Sequence, residues 1–82
     1  MAAEEITSKL IDIIADIGDI PRDEVQNEKY LIDDLDIDSL SLVEIGATIE
    51  DDLGVAIPDD KLAELKSVGD LVDYVTQQAI PS

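Results

Sequence analysis

Apolar residues recur along the chain in bursts whose spacing predicts its elements. Ile6, Leu10, Ile13, Ile14 and Ile17 step i, i+4, i+7, i+8, i+11, which puts a single apolar stripe on a helix from about Ala3 to Ile17. Gly18 suits the left-handed position just past that helix, and Pro21 falls where a helix cannot continue. Residues 19–38 show no helical period. A structureless stretch of about 20 residues is unusual in a small domain, so Val25, Tyr30, Leu31, Leu35 and Ile37 are expected to pin it to the core. A short helical turn is expected near residues 22–27.

A second helix should start from Asp38 as N-cap and end near Leu53, with Gly54 just beyond. Val55, Ala56 and Ile57 form a short apolar tie, and Pro58 opens a new turn. Asp59 or Asp60 can cap a short helix over residues 61–66. Ser67-Val68-Gly69-Asp70 reads as a capping box with Asp in place of the usual Glu. Val68, Leu71, Val72 and Val75 then step i, i+3, i+4, i+7 through a last helix to about Gln78, and Pro81-Ser82 reads as a frayed end. The pattern predicts an all-α fold: a small antiparallel four-helix bundle, three main helices and one short one, with a long first loop. No repeat or composition shift marks a boundary, so residues 1–82 are expected to form one domain.

The second helix carries more apolar surface than a core stripe needs. At about 100° per residue, Leu42, Ile45, Gly46, Ile49 and Leu53 share one face, and Leu40, Val43 and Ala47 form another about 130° away. Glu50 borders this second stripe on one side, Glu44 and Asp51 on the other. Val43 and Ala47 could simply widen the core stripe. Leu40 together with the bordering carboxylates favours a docking face for basic partner proteins.

Charge sharpens that reading. The chain has 21 Asp+Glu against 5 Lys+Arg, a formal net charge of −16. Between Tyr30 and Asp60 stand ten acids and no base, a distribution suited to steering cationic partners with a salt-sensitive rate. It opposes nucleic acid, which needs a basic patch, and anionic membrane surfaces alike. High charge with two aromatics would suit a disordered chain, but Ile, Leu and Val make up 27 of 82 residues, well above the roughly 20% typical of disorder. There is no Cys and no His, so a thiolate zinc site, a Cys nucleophile and a Ser-His-Asp triad are excluded. No apolar run exceeds three residues, so neither a transmembrane span nor a signal-peptide core is expected. The default is a soluble cytoplasmic protein without catalytic machinery of its own.

The most informative stretch is Asp34-Leu35-Asp36-Ile37-Asp38-Ser39-Leu40-Ser41-Leu42-Val43-Glu44. A Ser in the first turn of a helix is ordinarily structural. Asp38-Ser39-Leu40, preceded by aspartates and followed by Val43-Glu44 on the same helix, resembles the phosphopantetheine attachment site of acyl carrier proteins. The resemblance spans essentially the whole chain, from the amphipathic first helix through Gly54-Val55-Ala56-Ile57-Pro58-Asp59-Asp60 to Tyr74-Val75.

That resemblance implies that the Ser39 hydroxyl is esterified by the 4′-phosphopantetheine of coenzyme A, with Asp38 and Leu40 flanking the attachment. A separate phosphopantetheinyl transferase would run that reaction. The arm's thiol would carry growing acyl chains as thioesters, a role that fits a chain lacking any thiol of its own. Val43, Glu44, Ala47, Glu50 and Asp51, with Leu40, map onto the face presented to acyl and malonyl transferases, ketoacyl synthases, reductases and dehydratases of fatty-acid synthesis. Members of this family also tuck short acyl chains between helices; here Val43, Ile45, Leu62 and Ala63 are expected to border that space. A monomer is expected, with no metal, nucleic acid or membrane insertion.

Position 41 is Ser where many bacterial fatty-acid carriers have an acid, and position 47 is Ala rather than a large apolar residue. Ser41-Leu42-Val43-Glu44 is closer to carriers of actinobacterial type, which admits mycolate-type elongation; a polyketide carrier is the alternative within the family. Outside it, Asp34, Asp36 and Asp38 imitate the first ligands of an EF-hand loop. Ser39 then stands where Gly is needed and Ile45 where the bidentate Glu belongs, two misses at demanding positions. An acidic adaptor unmodified at Ser39 is the other rival.

Overall fold

In the computed structural model, which describes residues 2–79, the periodic segments become four α-helices. They are α1 (Ala3–Gly18), α2 (Ser39–Leu53), α3 (Asp59–Glu64) and α4 (Val68–Ala79). No strand occurs among the described residues, so the expected all-α class holds; one isolated bridge pairs Tyr30 with Ser67. The expected frayed end at Pro81-Ser82 lies outside the described residues.

Each stripe buries against the others. Ile6, Leu10, Ile13 and Ile14 of α1 meet Leu42, Ile45 and Ile49 of α2 and Val68, Leu71, Val72 and Val75 of α4 in one continuous core. Its buried side chains are all Ile, Leu or Val. Residues without polar atoms need no hydrogen-bond partners inside, so a core built from them sets no orientation except by shape.

The ends of α1 and α3 differ from expectation. Asp19, not Gly18, adopts the left-handed conformation, at φ 55° and ψ 47°, and the Ile20 N–H closes the end by donating to the Ala15 carbonyl at 3.0 Å. Aspartate tolerates that region better than most residues. Gly18 is needed for space instead: a Cβ there would stand 3.1 Å from the Ile20 side chain and 3.4 Å from that of Ile37. Helix α3 starts at Asp59, with Pro58 as its uncapped N-cap, so Asp59 and Asp60 sit inside the first turn, where carboxylates favour the positive helix end. It stops at Glu64, short of the expected Lys66: Leu65 caps its end, and the Lys66 carbonyl turns away to accept from the long loop.

That pairing explains how residues 19–38 are held. The Leu31 N–H donates to the Lys66 carbonyl at 2.9 Å, Val68 N–H to Lys29 at 2.9 Å, and Gly69 N–H to Asn27 at 3.0 Å. Val25, Leu31, Leu35 and Ile37 are buried as expected, whereas Tyr30 is 47% exposed. Tyr30 anchors through its backbone: its carbonyl accepts the Asp34 and Leu35 N–H groups, and its own N–H donates to the Asp34 carboxylate at 2.8 Å. The alternation that buries Leu31 turns the phenol outward. The helical turn in this loop is a single 3₁₀ turn, Arg22–Glu24, shorter than expected. Arg22 ties it to α1 through Asp12 and, at 2.7 Å, the Ser8 hydroxyl.

The remaining boundaries hold. Asp38 caps α2, Gly54 ends it at φ 71°, and the Ser67–Asp70 box forms, with the Asp70 N–H donating to Ser67 Oγ at 3.1 Å.

Candidate functional site

The N-terminus of α2 is built by Asp38. Its carboxylate accepts the Ser41 N–H at 2.8 Å. That backbone bond, with the Ser41 hydroxyl and the Leu40 N–H adding to it, holds the Asp38 carboxyl below the usual carboxylate range. Because Asp38 does the capping, Ser39 occupies the first helical position with its exposed side chain free of that task. The hydroxyl therefore stands in solvent at the positive end of a 15-residue helix, a setting that favours an attached phosphate group.

Beyond Ser39, α2 shows two faces. Leu42, Ile45, Gly46 and Ile49 are buried, while Leu40 is 83% and Val43 52% exposed. Ala47, Glu44, Glu50 and Asp51 are exposed as well, so the outward stripe and its carboxylate borders stand where the periodicity puts them. Tyr30 and Ile32 are the other large hydrophobics exposed among the described residues. All four thus lie on residues 30–43, around Ser39, and none on α1 or α4.

A cavity of about 350 Å³ opens beside Ser39. Leu31, Ile32, Leu42, Leu62, Ala63 and Leu65 form its apolar wall, and Tyr30, Asp33, Ser39 and Lys66 complete the lining. Of the four residues expected to border such a space, Leu62 and Ala63 do. Ile45 does not, since it is wholly inside the core. Val43 lies on the outer face and lines a separate groove with Ala47, Glu50 and Ile57. Gly46 lets α3 come close to α2: a Cβ there would stand 3.2 Å from the Leu62 side chain.

The pattern of residues does not mark the loop wall, Tyr30 to Asp33, or Lys66 as cavity lining. Their only signal is the apolar pair Leu31-Ile32 in a segment without period, and the backbone pairing of residues 29–31 with 66–68 is what brings them to the cavity. Two of the three aspartates that imitate calcium ligands are engaged in local backbone bonds: Asp34 accepts the Tyr30 N–H and Asp38 the Ser41 N–H. No helix among the described residues is long and apolar enough to cross a membrane.

An accessible hydroxyl beside an apolar recess can bear a tethered group whose cargo is hydrophobic. The phosphopantetheine arm fits that description, and comparison with known proteins agrees. The family model for the phosphopantetheine attachment site matches residues 8–75. An acyl carrier protein of Acidothermus cellulolyticus is 46% identical over 80 residues, covering 98% of this chain and 95% of its own. A meromycolate extension acyl carrier protein of Mycolicibacterium smegmatis is 53% identical over 72 residues, covering 88% of this chain and 73% of its own. Among solved structures, the acyl carrier protein of Enterococcus faecalis superposes with a TM-score of 0.78 at 36% identity, over 93% of this chain and 96% of that one.

Proposed function

Since the chain belongs to the acyl carrier protein family, whose cofactor is covalent 4′-phosphopantetheine, we propose that Ser39 is the residue that bears the arm. The observation that supports this most directly is the division of labour at α2: Asp38 caps the helix, so Ser39 is exposed, unengaged and on the rim of the apolar cavity. The arm supplies the thiol on which acyl groups ride as thioesters. The chain's own residues hold and present it. Asp38 fixes the helix end, Leu40 flanks the attachment point, and Leu62, Ala63 and Leu65 offer an apolar recess to the cargo.

Val43 and Ala47, bordered by Glu44, Glu50 and Asp51, form the face that meets partner enzymes: the transferase that installs the arm, then the acyl and malonyl transferases, ketoacyl synthases, reductases and dehydratases of fatty-acid synthesis. The carboxylates attract basic partner surfaces and the apolar centre supplies contact area. Residues 1–82 act as one monomeric carrier domain in the cytoplasm, with no catalytic activity of its own. Identity to the Mycolicibacterium smegmatis carrier favours, as a second reading, extension of long meromycolate-type chains; the acyl species borne by the protein in cells separates the two.

Incubation with coenzyme A and a carrier-protein transferase tests the assignment. Intact-mass measurement is expected to show one added phosphopantetheinyl group, mapped to Ser39 by peptide sequencing. Ser39→Ala should take up none while keeping the circular dichroism of the parent, because the cap belongs to Asp38. Loading at another side chain, or none, defeats the assignment.

A further inference from the structure

Five basic residues serve a chain with 21 acids, and their placement is uneven. Arg22 is engaged by Asp12 and Ser8, and Lys61 by Glu64 and the ring of Tyr74. Lys66 is the one base on the cavity beside Ser39. Its side chain is exposed and makes no ion pair among the described residues. Ser39 reaches the cavity from α2, whereas Lys66 reaches it from the turn after α3, a turn fixed by the bond from the Leu31 N–H to the Lys66 carbonyl. Asp33 lies on the same lining but not within ion-pair distance of Lys66.

We infer that Lys66 is a positioning residue for the arm: its ammonium group attracts the phosphodiester on Ser39 and biases the arm across the cavity mouth. The inference rests on Ser39 being the attachment point. The phosphodiester adds one negative charge to a helix end already flanked by Asp36 and Asp38, and Lys66 is the base on the same cavity lining that can offset it. Drawing the phosphate towards α3 brings the rest of the arm, and any acyl chain on it, over the apolar wall of Leu62, Ala63 and Leu65. The backbone carbonyl of Lys66 does the structural work, so the side chain can be exchanged without loosening the loop.

Nuclear magnetic resonance of apo and loaded protein tests this directly. With loading at Ser39 first verified by mass, the Lys66 side-chain resonances should move between the two forms. Lys9 and Lys29 should not change. The phosphorus resonance of the arm should shift in Lys66→Gln and return in Lys66→Arg. Loading at Ser39 with Lys66 side-chain resonances identical in both forms overturns the role of Lys66 alone. Failure to load at Ser39 overturns both this role and the attachment assignment.

Discussion

If acyl chains enter the cavity beside Ser39, the stability of the loaded protein must depend on chain length, and the structure sets the scale. A methylene occupies a volume close to a water's share of liquid, ~30 Å³, so a cavity of about 350 Å³ accommodates on the order of ten. Full burial of a methylene contributes about 0.8 kcal/mol. Freezing its rotor costs roughly 0.45 kcal/mol, judged from the ~1.5–2 kcal/mol lost by four-rotor side chains. The balance is about 0.35 kcal/mol per methylene fully enclosed, and about zero for one lying half-buried along an open groove. Extending acetyl to hexanoyl adds four methylenes, hence roughly 1.4 kcal/mol and a Tm rise of about 6–11 °C for a domain of this size. Thermal unfolding of acetyl-, butyryl-, hexanoyl- and octanoyl-loaded protein, followed by circular dichroism, reads this directly. Ala63→Leu places three extra carbons on the cavity wall at little cost in helix propensity, so it should leave the unacylated Tm nearly unchanged and flatten the series. A flat series in the parent protein, or equal increments in Ala63→Leu, would show that the chain is not enclosed by the cavity and refute the reasoning.

Other outcomes follow from charge. Glu44→Lys reverses a carboxylate beside the exposed Val43 stripe; association with a basic-faced partner enzyme should slow by up to about tenfold at low salt and converge with the parent at high salt, where screening acts within ~3 Å. Stopped-flow rates that match at low salt would remove Glu44 from the approach path. Acidification has two opposed effects. Lowering pH from neutrality to about 5 relieves repulsion in a chain of net charge −16 and should raise Tm. Asp38, whose folded-state carboxyl is held below the usual range by the Ser41 N–H, contributes stability that is fully present above its unfolded value of about 3.9 and lost as pH falls through its lower folded value. Stability should therefore peak in mildly acidic solution and turn over below it, with a blunter turnover in Asp38→Asn. A steady fall in Tm from neutrality would contradict dominant self-repulsion.

The helices, and Ser39 as the residue proposed to bear the arm, were legible in the order of residues alone. The spacing of Ile6 to Ile17, of Leu42 to Ile49 and of Val68 to Val75 fixes which faces meet, because a helix repeats every 3.6 residues whatever surrounds it. The caps at Asp38, Gly54 and Ser67–Asp70 are local too, each satisfying backbone groups within four residues. The string around Ser39 and the excess of apolar positions on α2 were equally legible, since both are properties of one short segment. The cavity was not. Its loop wall and Lys66 belong to segments more than thirty residues apart, joined by backbone hydrogen bonds from Leu31 to Lys66 and from Val68 to Lys29. Every residue carries the same backbone donor and acceptor, so such pairings leave no mark on the order of side chains. For the same reason Tyr30 could be assigned to the loop's anchorage but not to its outward ring, and Gly18 to the end of α1 but not to the space that Ile20 and Ile37 require. Periodicity tells which residues must be covered; only the folded chain decides what covers them, and where a gap is left for cargo.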